Sequence, residues 1–569
     1  MKVSLVSLED GIMACGFRKM AAYAERLDPE TRTYFVSTDN YRSLLAALKG
    51  DQGGGGVLTP EYVDEIAQEL ATSDLVGFSS MTGYADLTKA VMSRVREISS
   101  DTTIVWGGIH PIIHPEDAIR ADVDAICTGE GEFAFEAFFD AWKNDRDYTD
   151  TGNFWFRSGD DIIRNDFLPL QSSEEMEGLP FPKHAGTEYM YSPGHGFKPM
   201  TLNDRLTANG LSYNTVWSIG CPFKCTYCGN TKFIANDNNY RRLRHPSPRY
   251  AVEEIKAVRE AFPYISTVCF HDDSFMAIAY DDLVDFAERW HDEVGIPFAV
   301  YGVIPNYVRR DKIEVLTWAG MNRIRMGVQS GSQRILDFYK RPSPPEKVLA
   351  AAEVTGSFAP KDHIPPAYDI ITDNPIETRQ DVVDTLELVY NFRRPFTLNV
   401  FSLKVIPNTQ LEEMMKEEGV DIEEISSNYV NIPPRWANLL LYLLTLWRPP
   451  RRLFDLLLKP ARASGEPQRM HPVLGRILRS LFMMKRGLDH LRHLDFSTIP
   501  GHSGFVVWRT GLLRYSWKRR RARMSKPEIK KAPVRIPVGL VKDAKDVPAA
   551  NAHTGEVTLD EGQAEELSA

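Results

Sequence analysis

"NTVWSIGCPFKCTYCGN", residues 214–230, sets a β-rich apolar run directly before three of the chain's six cysteines, Cys221, Cys225 and Cys228. Thiolates packed this closely are soft ligands, suited to zinc or to an iron–sulfur cluster. Three readings compete on the residues alone. A structural zinc would need His245 as fourth ligand, across a basic stretch. A redox pair of Cys225 and Cys228 would leave Cys221 unused. A chance clustering would give the three thiols no shared ligand.

Downstream of the cysteines the pattern is that of a barrel. "ISTVCFHDDSF" (265–275), "PFAVYGV" (297–303), "RIRMGVQSGS" (323–332), "IPPAYDIITD" (364–373) and "LNVFSLKVIP" (398–407) are apolar β-rich runs, each succeeded by a helical pattern. With 214–220 they make six β/α units, a partial TIM-like barrel, in which working groups sit at the C-terminal strand ends. Asp272 and Asp273 fall at the second end, Gln329 and Ser330 at the fourth, with Arg323 and Arg325 alternating along the fourth strand.

The first 150 residues alternate short apolar strands (2–8, 33–38, 74–80, 102–108, 123–129) with helical patterns, which predicts a doubly wound parallel sheet. Ser79 and Ser80, then Gly107, Gly108 and His110, then Gly129, Glu130 and Gly131 collect where strands should end. In open α/β sheets the ligand crevice lies at those ends, so the three groups are expected to converge on one ligand. No GxGxxG fingerprint argues for a dinucleotide. Residues 151–205, with a hairpin in "NFWFRSGDDIIRND" (153–166), read as a connector.

Charge is distributed by region. Residues 431–535 carry 23 Lys and Arg against 5 Asp and Glu, a balance of +18 within a chain of net charge −10. There "RWANLLLYLLTLWRPPRRLFDLLLKPARA" (435–463) and "PVLGRILRSLFMMKRGLDHLRHL" (472–494) interleave leucines and arginines at helical spacing. The apolar run 437–447 is too short to cross a bilayer. This composition predicts a helical cap on the barrel, or a lid that also rests on an anionic membrane surface. Residues 536–569 are expected to be disordered. No nucleic-acid module is visible. Six scattered cysteines do not make a disulfide framework, and the opening "MKVSLVSLEDGIMACG" reads as a buried strand and not a signal peptide. The expected place is the cytoplasm, peripheral at the inner face of the membrane if the basic segment binds lipid.

The cysteine spacing resembles that of radical S-adenosylmethionine enzymes, and "WGGIHPIIHPEDAIRADVDAICTGEGE" (106–132) resembles the cobalamin-binding domain of their cobalamin-dependent branch. The two resemblances cover about residues 1–420. They imply a 4Fe–4S cluster on Cys221, Cys225 and Cys228, S-adenosylmethionine chelated at the open iron, and cobalamin on the first domain. They imply that Asp272 and Asp273 meet the methionyl ammonium, that Gln329, Ser330 and Arg323 meet ribose and carboxylate, and that Tyr227 packs near adenine. Ser79, Ser80, Gly107, Gly108, His110, Gly129, Glu130 and Gly131 would line the corrin and its tail. The chain departs from other cobalamin proteins at "LEDGIMACG" (8–16), where a D-x-H-x-x-G loop would supply a histidine to cobalt; no histidine precedes His110. Asn374 in "DNPIET" (373–378) and Asn408 in "IPNTQL" (406–411) also stand where the family uses glycine.

The resulting expectation is an α/β chain: a cobalamin-binding domain over 1–150, a connector over 151–205, a radical S-adenosylmethionine partial barrel over 206–430, basic amphipathic helices over 431–535 and a tail over 536–569. Its activity would be methylation of an unactivated carbon of a small-molecule or lipid substrate. A deoxyadenosyl radical abstracts hydrogen and the substrate radical takes methyl from the corrin, with electrons from a donor such as flavodoxin or ferredoxin. The alternatives are a cobalamin-dependent cyclase or oxidoreductase without methyl transfer, and a zinc-stabilised binding protein.

Overall fold

The computed structural model describes residues 1–9, 11–37, 58–182, 184, 186, 188–359, 361–422, 434–463, 472–496 and 502–529, with the backbone of Val534–Pro537 and Glu556–Leu559. Those last two strands pair antiparallel; the rest of the tail expected to be disordered lies outside the described residues.

The N-terminal unit is a sheet in the order β7-β6-β5-β4-β3-β1-β2-β8-β9. Its parallel centre is β1 (Val3–Glu9), β2 (Arg32–Ser37), β3 (Leu75–Ser79), β4 (Thr103–Gly107) and β5 (Ala125–Cys127). Residues of β1 through Leu8 are buried, as a parallel strand covered on both faces requires. The strand order reverses between β1 and β3, the switch point where such sheets open a crevice. The stretch read as a connector completes this sheet. The hairpin β6 (Phe154–Ser158) and β7 (Asp161–Arg164) extends it beyond β5. A second hairpin, β8 (Glu188–Ser192) and β9 (Gly196–Pro199), extends it beyond β2. The physical reason is the edge: β2 and β5 would otherwise present unpaired backbone groups.

The second sheet is wholly parallel, β10 (Ser212–Thr215), β11 (Thr267–Phe270), β12 (Phe298–Val303), β13 (Met321–Gln329), β14 (Ala367–Thr372) and β15 (Thr397–Ser402), in sequence order. Alternation along β13 sends Ile324, Met326 and Val328 to the outer core under the helices and Arg323, Arg325, Gly327 and Gln329 to the lumen.

Among the described helices, those that bear on the meeting of the two sheets and on the closure of the second are α1 (Cys15–Leu27), α2 (Ile109–Ile113), α3 (Arg379–Tyr390), α4 (Trp436–Leu446), α5 (Arg451–Arg462) and α6 (Pro472–Arg492). The apolar run at 437–447 becomes α4, whose Leu439, Leu440, Leu441 and Leu444 join the barrel core. At about 1.5–3 kcal/mol per fully buried leucine, this burial anchors the basic segment to the barrel. The inner face of α6 packs onto α4 in turn: Gly475 lies against Leu439, and Phe482 is 4.6 Å from Tyr442, ring to ring. Among the described residues no helix is long and apolar enough to cross a membrane.

Candidate active site

The loop carrying the cysteines leaves β10 and is fastened along its length. Trp217 N and Ser218 N donate to the Asp272 carboxylate at 3.2 and 2.6 Å, and Ser218 Oγ donates to it at 2.5 Å. The Ile219 and Arg244 backbones exchange two hydrogen bonds of 2.9 Å. Gly220 has φ +113°, and a Cβ there would stand 2.5 Å from the Arg242 carbonyl oxygen, so only glycine lets the loop pass. Beyond Cys225, Thr226 N donates to Tyr339 O at 2.9 Å and Thr226 O accepts from Leu411 N at 3.1 Å.

The three thiols lie close enough to act on one another electrostatically, yet no three His, Cys, Asp or Glu side chains among the described residues converge on a single-ion site. His245, weighed as a zinc ligand, instead packs its ring 5.2 Å from Trp217 and turns Nδ1 to Pro246 O. Burial raises Cys221 to about 11 and Cys228 to about 12, so ionised thiolates require a positive group among them. A guanidinium is already present: Arg341 Nη1 approaches Cys225 Sγ at 3.7 Å, Nη2 donates to Gly327 O at 2.7 Å, and its buried Nε has no hydrogen-bond partner. These features fit a cluster with three protein thiolates.

Asp272 and Asp273 do different work from that expected of a pair. Asp272 spends both oxygens on the cysteine loop, and burial raises it to about 7. Its backbone is pressed against β12, where a Cβ at Gly302 (φ +64°) would lie 1.9 Å from the Asp272 carbonyl oxygen. Asp273 accepts from Tyr240 Oη at 3.3 Å and from the Asn230 side chain. Gln329 takes φ +73°, and its amide fills the space a Cβ on Gly327 would need. Ser330 is buried, 3.3 Å from Thr385 Oγ1 and accepting from Ser332 N. Arg323 turns into the lumen, away from an exposed ligand role, and pairs with Asp495 at 2.9 Å and Cys269 Sγ at 3.1 Å. Tyr227 packs edge-on to Tyr339, 5.0 Å between rings, and Tyr339 Oη accepts from Asn374 Nδ2 at 3.0 Å. The strained turn residue in "DNPIET" is Asp373 (φ +58°), one place before Asn374, whereas Asn408 does adopt a glycine-like φ of +56°.

On the N-terminal sheet, Gly108 has φ +88°, and a Cβ there would meet Ser79 Oγ at 2.8 Å and Ser80 N at 3.1 Å. Ser80 Oγ accepts from Trp106 Nε1 at 3.1 Å. His110, expected at the corrin, is 2% exposed, lies against Trp106, and holds Asp117 at 2.9 Å through Nε2. Gly129 makes room for the Asn153 side chain, while a Cβ at Gly107 would rest 3.9 Å from Phe78 O and Cys127 Cβ, and one at Gly131 3.4 Å from Met20 Sδ. Glu130 departs most from expectation: Arg244, next to the cysteine loop, bonds its carboxylate at 2.7 Å, and Gln171 N donates to it at 2.7 Å.

Glu130 and Arg244 are one of several fastenings that turn the carboxyl ends of the first sheet toward the barrel mouth. Ile113 Cδ1 lies 3.2 Å from the Cβ position of Gly229, directly after Cys228. Asn408 Nδ2 donates to Ile113 O at 3.0 Å, and Cys15 Sγ at the start of α1 approaches Asn214 O at 3.6 Å. Sequence reasoning missed Arg341, Tyr240 and Arg244. Their only local signal is a basic or aromatic residue in a loop, and the fold supplies the proximity.

The family model described as "Radical SAM superfamily" matches residues 215–389, and the one described as "B12 binding domain" matches residues 51–139. The chain carries a B12 binding domain followed by a radical S-adenosylmethionine domain, the pair found in cobalamin-dependent radical S-adenosylmethionine enzymes, and the cofactors of that pair are a 4Fe–4S cluster, S-adenosylmethionine and cobalamin. It is 23% identical over 342 residues to an "uncharacterized methyltransferase" of Pyrococcus horikoshii, covering 58% of this chain and 68% of that one. It is 20% identical over 407 residues to the anaerobic magnesium-protoporphyrin IX monomethyl ester cyclase of Rubrivivax gelatinosus, covering 67% and 66%. Among solved structures, the radical S-adenosylmethionine methyltransferase TsrM of Kitasatospora setae, with cobalamin and a 4Fe–4S cluster bound, shares the fold at a TM-score of 0.56, with 14% identity over 74% of this chain and 75% of that one.

Proposed function

We propose that the protein methylates an unactivated carbon of a small-molecule or lipid substrate. The observation that carries this reading is the contact of Ile113 with Gly229, which brings the glycine-rich edge of the first sheet against the cysteine loop. When bound, the cluster and S-adenosylmethionine supply a carbon radical and the corrin supplies the methyl group. The chain's part is positional. Cys221, Cys225 and Cys228 hold the cluster, and Arg341 places a positive charge beside it. Asp272 fixes the loop from below, and Asp273 keeps a carboxylate at the second strand end. Tyr227, Gln329 and Ser330 belong to the segments where the adenosyl group is expected, and Gly107, Gly108 and Gly131 lie at the carboxyl ends of the first sheet's strands, where the corrin is expected. A relative named as a methyltransferase supports the reading, and one named as a cyclase supports the alternative of radical chemistry without methyl transfer. The deciding experiment is anaerobic turnover of reconstituted protein with extracts of its host. A product heavier than its substrate by one CH₂, lost on Cys225→Ala, is expected. A product without added carbon selects the cyclase alternative, and stoichiometric zinc without iron in anaerobic protein overturns both.

The partner reading is an electron donor such as flavodoxin or ferredoxin, and an anionic membrane surface. The membrane reading has its own observation. Leu474, Ile477, Leu481, Met484 and Leu488 lie three or four residues apart along α6 and are 43–58% exposed, with Leu456, Val506 and Leu512 exposed on other helices of the C-terminal region. The surrounding charge of +18 over 431–535 opposes a second copy and favours anionic lipid.

A further inference from the structure

The lumen of the barrel holds more positive charge than the described carboxylates there balance. A cavity of about 140 Å³ is lined by Tyr301, Arg323, Arg325, Asn399, Arg486 and His490, among others. Arg323, Arg325 and Asn399 come from alternate positions of β13 and β15; Arg486 and His490 come from the inner face of α6, which closes the open side. Both carboxylates here are already held. Asp369 takes Arg325 Nε on both oxygens at 2.9 Å and Asn399 Nδ2 at 2.8 Å. Asp495 takes Arg323 Nη1 and His490 Nδ1, each at 2.9 Å. Arg486 is the third guanidinium. Its Nη1 donates to Asn399 Oδ1 at 3.0 Å, and among the described residues no carboxylate lies within ion-pair distance of it. A neutral amide oxygen is a weak counterpart for a guanidinium taken out of water beside two others. Burial, then the charges of Arg323 and Arg325, lower its proton affinity, which records the same imbalance.

We infer that this cavity is a subsite for a small anionic group, a carboxylate or phosphate of the substrate, bound through the free donors of Arg486. A planar guanidinium presents paired N–H groups that match either anion. Arg486 sits on a helix that continues outside the barrel sheet, so the anchor and the chemistry lie on different elements. Substrate class can therefore vary with α6 while the cysteine loop stays fixed. The inference rests on reading the barrel as the substrate chamber, but anion binding can be measured without any S-adenosylmethionine cleavage, so the two fail separately.

The test is binding of inorganic phosphate and of acetate to the full chain, by calorimetry and by the thermal midpoint, at constant ionic strength set with chloride. Wild type is expected to bind at least one of them with a rise in midpoint, phosphate and acetate being the arms that tell the two ligand classes apart. Arg486→Met should weaken that binding about tenfold or more, the loss of one charge-assisted hydrogen-bonded contact. Arg486→Lys should keep part of it, and Arg514→Met, on the outer basic surface, should leave it unchanged. If Arg486→Met fails to fold, Arg486→Gln carries the same expectation. The inference is overturned if wild type binds neither anion, or if the Arg486 variants bind as well as wild type, which would assign the binding to surface cations.

Discussion

Arg341 Nη1 stands 3.7 Å from Cys225 Sγ although 116 positions separate the two residues in the chain. The guanidinium comes from the turn after the helix Gln333–Phe338 that follows β13, and donates through Nη2 to the carbonyl of Gly327, where a Cβ would stand 3.3 Å from it.

A buried cation beside a cluster stabilises the reduced, more negative state. Arg341→Met is therefore expected to lower the cluster's midpoint potential, by on the order of tens of millivolts, with iron content retained. Redox titration followed by electron paramagnetic resonance measures it, and an unchanged potential would show that Arg341 serves packing alone.

The ion pair of Glu130 and Arg244 is partly buried between the first sheet and the cysteine loop, at 2.7 Å. Glu130→Gln should loosen the two units, at a cost of about 1–3 kcal/mol, because Arg244 keeps its charge in a half-buried place. Limited proteolysis and denaturation report it. A double-mutant cycle with Arg244→Met that shows no coupling would count against the pair as a fastening.

Glu377, at the cavity of about 270 Å³ between α3, α4 and the end of β14, is raised to about 8 by burial and then by Asp381 and Asp373. The folded state thus holds a proton that the unfolded chain releases near pH 4.5, so this contribution to stability is complete below that pH and lost as pH rises through 8. Glu377→Gln should flatten the decline and gain about 1 kcal/mol or more at pH 9. Denaturation curves between pH 5 and 9 decide it; a parallel decline in the variant would assign the slope elsewhere.

No histidine occurs between Glu9 and Cys15, and His110 is buried against Trp106 and Asp117. Paramagnetic resonance of the Co(II) form is expected to lack the nitrogen splitting of an axial imidazole. Three-line splitting traced to a protein nitrogen would contradict this.

The exposed leucines of α6 predict sedimentation with anionic vesicles, released as salt is raised. Leu481→Glu with Leu488→Glu should abolish it. A dimer in solution that these substitutions dissociate would instead show that a second copy covers the face.

The order of strands and helices, the cysteine spacing and the basic C-terminal segment were legible in the sequence, because they depend on local periodicity and on residue types a few positions apart. The apolar run at 437–447, read as part of a helical cap or a lid, forms helix α4 for the same reason. The working arrangement was not legible. That Glu130 belongs to Arg244, that Asp272 belongs to the loop at Trp217 and Ser218, and that Arg323 faces Asp495 are pairings across 114, 54 or 55, and 172 positions. Each acidic residue carried the same local signal whether it met a ligand, a cation or a backbone amide. Which partner it meets is set by the packing of sheets and helices that bring distant segments into one dry space, where an unpaired charge is too costly to leave. The sequence by itself therefore determined the architecture and the close spacing of Cys221, Cys225 and Cys228. The tertiary structure decided which remaining polar groups are spent on holding the fold and which, as at Arg486, are left over for a ligand.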